Sequence, residues 1–130
     1  MKRIIPLLLA LLIFASCTAT DEQPKADYRQ VTMDEAVSMM ETESDYIILD
    51  VRTLEEYKDK HIPGAICIPN ETIGTDDIPE LPNKEQLILV YCRSGNRSKQ
   101  ASAKLAALGY TNVVEFGGII SWTGETVTGE

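Results

Sequence analysis

The most reactive stretch of this 130-residue chain is Cys92-Arg93-Ser94-Gly95-Asn96-Arg97-Ser98. It follows the apolar, β-rich run Leu87-Ile88-Leu89-Val90-Tyr91 and precedes a helical pattern that begins at Ser98. A Cys at the end of a buried strand, just before a helix start, sits where free backbone N–H groups can converge on its sulfur. The helix dipole adds partial positive charge at the same point. Both favour thiolate over thiol, and the thiolate is the nucleophile. Gly95 permits the tight turn with positive φ that so short a connection needs. The charges agree. From Gln86 to Val114 there is no Asp or Glu, whereas Arg93, Arg97, Lys99 and Lys104 all fall in that window. On a chain of formal charge −8 this is an anion-attracting island centred on a thiol. A buried, inert Cys at a strand end would not need the Gly, the two Arg and the helix start in this order.

The rest of the body must hold that loop. Thr32-Met33-Asp34-Glu35 has the capping-box pattern, with Ala36, Val37 and Met40 as an apolar face behind it, and predicts a helix over 33–42. The run 46–51 has no polar alternation and reads as a strand buried on both faces. Thr53-Leu54-Glu55-Glu56 is a second capping box, opening a short helix that ends before Pro63. A short strand is expected over 65–68. Residues 69–84 hold three of the six prolines and read as loop with at most a short helix. The run 87–91 is the central strand. Ala101, Leu105 and Leu108 share one face of a helix over 98–108, with Gly109 as its stop. A last strand at 112–114 leads to Gly117-Gly118 and a segment carrying Trp122. Short apolar strands alternating with helices mean an α/β fold, a central, mostly parallel sheet flanked by helices on both faces. Ligands of such sheets bind at the carboxyl ends of the strands, where Cys92 lies.

The composition bounds the alternatives. Twelve Lys and Arg against 20 Asp and Glu exclude a general nucleic-acid binder, which needs a basic face. The length suits one domain, and 44% hydrophobic with 25% charged residues is an ordinary globular composition. Hydrophobic residues are concentrated at the start, where they fill twelve of the first sixteen positions. Lys2 and Arg3 precede an apolar run from Ile4 to Ala15, broken by Pro6. Twelve residues are too few to span a bilayer as a helix, which takes about 20. The pattern is that of a secretory signal. Phe14-Ala15-Ser16-Cys17 then resembles a bacterial lipobox, although Phe14 stands where Leu is usual. Residues 1–16 are expected to be a lipoprotein signal peptide and Cys17 the lipidated first residue of the mature protein. Residues 17–27 would be a flexible tether, 28–123 the domain and 124–130 a C-terminal tail. The protein would then be anchored to a membrane of the cell envelope, on its periplasmic or extracytoplasmic face.

The chain resembles the single-domain rhodaneses, a sulfurtransferase family, whose active loop follows Cys-Arg-Ser-Gly-x-Arg-Ser. Residues 92–98 match it. The likeness continues through Ala101, Leu105, Gly109-Tyr110, Asn112-Val113, Gly117-Gly118 and Trp122. Upstream, Asp50-Val51-Arg52, Glu56-Tyr57 and His61-Ile62-Pro63-Gly64-Ala65 fit further signatures, with Lys60 where Gly is common. The resemblance covers about 28–123 and implies a rhodanese-like fold. It also implies that Cys92 attacks the outer sulfur of an anionic donor such as thiosulfate and becomes a persulfide. The amides of Arg93, Ser94, Gly95, Asn96, Arg97 and Ser98 would cradle the terminal sulfur, and a thiol or cyanide acceptor would then remove it. Arg93 and Arg97 are candidates for steering the donor, and Arg97 could instead pair with a carboxylate and hold the loop. No cofactor or metal is implied, and a monomer is expected.

Two other functions use similar parts. Phosphatases and arsenate reductases place a Cys and an Arg around an anion-binding loop, but with five intervening residues; here there are four. The other alternative is a carrier or partner-binding module without turnover. Asp50 ends a strand on the ligand side and could edge the site, although pairing with Arg52 is the simpler role. His61, the single His, reads as a turn stabiliser. Cys67, between Ile66 and Ile68, reads as core, with a resolving role towards Cys92 as the alternative, and Trp122 as a packing anchor. No Cys, His and Asp cluster has metal-ligand spacing.

Overall fold

The computed structural model describes residues 27–130. The expected signal peptide, Cys17 and all of the tether but Asp27 lie outside the described residues. Among the described residues five parallel strands form one sheet in the order β1-β5-β4-β2-β3. They are β1 (Arg29–Gln30), β2 (Tyr46–Asp50), β3 (Ile66–Cys67), β4 (Leu87–Cys92) and β5 (Val113–Gly118). The helices are α1 (Met33–Thr42), α2 (Leu54–Asp59) and α3 (Asn96–Ala107). Short 3-10 turns occupy Asn70–Thr72 and Ile119–Ser121. Among the described residues no helix is long and apolar enough to cross a membrane.

β4 is central and all six of its residues are buried, which is why its sequence lacks alternation. Alternate β4 side chains feed two cores. Ile88 and Val90 meet Ala101, Leu105 and Tyr110 on the α3 face. Leu89 and Tyr91 meet Ala36, Tyr57 and Phe116 on the face covered by α1 and α2. A fully buried side chain such as Leu105 contributes about 1.5–3 kcal/mol relative to exposure. The helix starts are set by their caps. Thr53 Oγ1 accepts from Glu56 N, and Glu56 Oε1 accepts from Thr53 N at 3.3 Å, so the α2 box is complete. At α1 only half forms, with Thr32 Oγ1 accepting from Glu35 N at 3.1 Å.

Several boundaries differ from the sequence expectation. α3 begins at Asn96 rather than Ser98, because Gly95 at φ +111° turns the chain straight into the helix. β5 continues to Gly118, well past 114. β3 holds two residues, and β1, which is short and exposed, carries no apolar run that could announce it. The C-terminal stretch 124–130 is held at two points. Val127 forms an antiparallel bridge with His61, and Gly129 N donates to Lys58 O at 2.8 Å.

Candidate active site

Cys92 is the last residue of β4, and three intervening residues separate it from Asn96, where α3 starts. The connection Arg93-Ser94-Gly95 is therefore held at both ends by buried structure. Gly95 N donates to Cys92 Sγ at 3.0 Å, and Cys92 is 1% exposed. Gly95 is the one loop amide within hydrogen-bond distance of the sulfur among the described residues. The other contact is the Ser98 hydroxyl, with Cys92 Sγ donating to Ser98 Oγ at 3.4 Å.

β5 closes the loop from the other side. A register shift between Val90 and Cys92 brings Gly118 opposite Cys92. A Cβ on Gly118 would collide with the Arg93 carbonyl, which also accepts from Ile120 N at 3.2 Å. Beneath the loop lies Glu115, 3% exposed, whose Oε1 accepts from Ser98 Oγ at 2.6 Å and from Gly117 N at 2.8 Å.

The two arginines play different parts. Arg97 makes a bidentate pair with Glu56, at 2.6 and 3.0 Å, and so ties the start of α3 to the start of α2. The Arg97 guanidinium, together with the Thr53 cap bonds, holds the Glu56 carboxyl down at about 2 against burial, which raises it. A carboxyl depressed in the folded state stabilises the fold above its unfolded value and loses that contribution as pH falls through the folded one. The pair's contribution is therefore complete above about pH 4.5 and fades toward pH 2. The unfolding temperature of Glu56→Gln should match the wild type near pH 2 and fall below it at neutral pH. A gap that persists undiminished at pH 2 would contradict the pairing.

Arg93 is exposed and has no hydrogen bond or ion pair from its side chain among the described residues. It lines a recess of about 390 Å³ with Arg52, Glu56, Lys60, Ile119 and Ile120; Cys92 itself does not line it. Ser94 and Asn96 are exposed on the loop.

Asp50 does not edge the site. It is fully buried, and both its oxygens accept from Arg52, the shortest contact being 2.6 Å to Nη2. Arg52 passes the constraint on by donating to Lys60 O at 2.7 Å. His61 is stacked on Tyr57 with ring centroids 3.7 Å apart, and its Nδ1 meets Tyr57 O at 2.8 Å. It thus fixes the turn after α2. Trp122 packs on the α1–α2 core, and its Nε1 donates to Glu125 O at 2.9 Å. Among the described residues no group of three or more His, Cys, Asp or Glu is placed to hold a metal ion.

Cys67 pairs in register with Asp50, which pairs with Tyr91. Two strand spacings, about 9–10 Å, separate Cys67 from the β4 backbone. A disulfide needs Cα atoms within about 7 Å, so the resolving role towards Cys92 is lost. Burial and the Asp50 carboxylate push the Cys67 thiol up to about 11. Cys67→Ser should retain most activity, and Cys67 should label slowly with iodoacetamide at neutral pH. Loss of all activity in a folded Cys67→Ser protein would overturn this reading.

Sequence reasoning missed Glu56 as the Arg97 partner and Glu115 as the floor of the loop. The capping box explained Glu56 so fully that a second role left no trace. A Glu inside an apolar strand was the available signal for Glu115.

The family model described as "Rhodanese-like domain" matches residues 32–125. The thiosulfate sulfurtransferase PspE of Escherichia coli is 38% identical over 71 residues, covering 55% of this chain and 68% of that protein. An adenylyltransferase and sulfurtransferase of Ogataea parapolymorpha is 36% identical over 102 residues, or 76% of this chain. The chain spans about a quarter of that longer relative, 26%. A solved structure described as a rhodanese with anions, from E. coli, superposes with a TM-score of 0.59 at 34% identity. It covers 65% of this chain and 99% of its own.

Proposed function

The chain belongs to the rhodanese-like domain family, which includes sulfurtransferases, and from that premise we propose that it moves sulfane sulfur from thiosulfate or a persulfide donor to a thiophilic acceptor. The observation that carries the reading is the Gly95 N–H aimed at the buried Cys92 sulfur, at the start of a loop that carries the exposed Arg93. Cys92 sulfur, as thiolate, attacks the outer sulfur of thiosulfate. The S–S bond of the donor breaks, sulfite leaves with its electron pair, and Cys92 carries a persulfide anion. Cyanide or a thiol then attacks the terminal sulfur and returns the Cys92 thiolate. Arg93, exposed and unpaired among the described residues, steers the anionic donor, while Arg97 anchors the loop. The test is thiocyanate formation from thiosulfate and cyanide. Steady turnover supports the enzyme; a stoichiometric persulfide without turnover would leave a sulfur carrier instead.

The membrane anchor belongs to the same proposal and rests on the sequence alone. A single acyl chain holds only marginally, so stable attachment requires the diacylglyceryl group a lipobox Cys would carry. Cells fed radioactive fatty acid should label the wild type and not Cys17→Ala. A wild-type protein that takes up no label and is recovered wholly soluble would overturn the anchor.

A further inference from the structure

Behind the sulfur runs a chain of groups that the transfer scheme does not use. Cys92, Ser98 and Glu115 are 1%, 0% and 3% exposed. Ser98 has one hydroxyl proton and several acceptors in reach: Glu115 Oε1 at 2.6 Å, Gly95 O at 2.9 Å and Gly117 O at 3.4 Å. A separation of 2.6 Å is that of a hydroxyl donating to a carboxylate. With its proton on Glu115, Ser98 turns a lone pair to Cys92, and the thiol S–H donates into it. The donors then point one way, from sulfur to hydroxyl to carboxylate.

We propose that Glu115 accepts the Cys92 proton through the Ser98 hydroxyl and so readies the sulfur for attack. The proposal rests on the sulfurtransferase reading. The thiol proton passes to Ser98 Oγ as the Ser98 proton passes to Glu115 Oε1. The products are a Cys92 thiolate, an unchanged Ser98 and a neutral Glu115. No charge is created in the interior; one negative charge moves from the carboxylate to the sulfur, where Gly95 N–H receives it. Creating a new charge at so buried a sulfur would carry a desolvation cost that this exchange avoids. Glu115 also lines a recess of about 300 Å³ beside the loop, together with Ser94 and Gly95, which gives the proton a way out. Among the charged groups, Lys99 lines the recess with Glu115, Arg97 stands near the Cys92 sulfur with Glu56 as its partner, and Arg93 follows Cys92 in the loop. From β1 and α1 come Gln30, Thr32 and Met33, none of them charged. Glu115 touches no substrate in this scheme and is a positioning residue for the proton.

Glu115→Gln tests it. Both bonds to Glu115 fall on Oε1, so the Gln carbonyl can keep them and lose only the basicity. The readout is the rate of iodoacetamide labelling at Cys92 against pH, followed by peptide mass spectrometry on the full chain without a sulfur donor. At neutral pH, Glu115→Gln should label about a hundredfold more slowly, the scale of a lost general base. The rate should return toward wild type in alkali, where hydroxide takes the thiol proton directly. Ser98→Ala, which cuts the chain in the middle, should show the same profile. Labelling of Glu115→Gln as fast as wild type at neutral pH, or slowed equally at all pH values, would overturn the relay. Failure of the transfer reading shows separately, as absence of sulfur uptake from thiosulfate by a Cys92 that still labels with this profile.

Discussion

Cys92→Ser is expected to abolish sulfur transfer while leaving the fold intact. A serine oxygen can keep the bond from Gly95 N–H, and the position is one small side chain at the end of an otherwise apolar strand. The hydroxyl is not ionised at ordinary pH and cannot form a persulfide, so the loop can no longer take up the sulfur. The fall in thiosulfate–cyanide turnover should be about four orders of magnitude or more, the scale on which enzymes lose activity with their nucleophile. The circular dichroism spectrum and unfolding temperature should stay close to wild type. Retention of full activity would remove the mechanism.

Gly118→Ala should have the second largest effect, through the backbone. Gly118 has φ −135°, which any residue adopts, so its requirement is space. The added Cβ meets the Arg93 carbonyl, which is main chain and cannot swing aside as a side chain would. Either β5 shifts or the loop does. Overpacking of this kind costs about 1–3 kcal/mol of stability. The loop shift would move Gly95 N–H away from the sulfur, and about 1 Å of misplacement is enough for about a hundredfold loss of rate. Gly117→Ala is the contrast. At φ +97° it strains the backbone by about 1–2 kcal/mol, yet its Cβ would meet nothing within 4 Å. Gly117→Ala should therefore lower the unfolding temperature and keep most of kcat/KM, whereas Gly118→Ala loses both. Equal kcat/KM losses in the two variants would show that the close approach to Arg93 does not set the loop.

Much of this arrangement was legible in the sequence, for physical reasons that differ by element. β4 could be read because it is buried on both faces, and the unbroken run Leu87–Tyr91 records that directly. The start of α2 could be read because a complete capping box leaves two polar residues at fixed spacing. Asp50 and Arg52 lie two residues apart, so their pairing was foreseeable, although the full burial that removes Asp50 from the rim was not. Contacts between distant segments were opaque. Glu56 and Arg97 are 41 positions apart, and Ser98 and Glu115 are 17 apart. Nothing local in either segment depends on the other. β1 was invisible for a related reason: its two exposed residues owe their strand conformation to pairing with Val114 and Glu115. The fold's parts are local, and the site's electrostatics depend on tertiary contacts.

The most direct measurement is mass spectrometry of the intact protein after incubation with thiosulfate and removal of the donor, followed by peptide mapping. The account predicts the gain of one sulfur atom, located on the peptide carrying Cys92, reversed by cyanide with release of thiocyanate. An unmodified Cys92, or sulfur found on Cys67 instead, would contradict it.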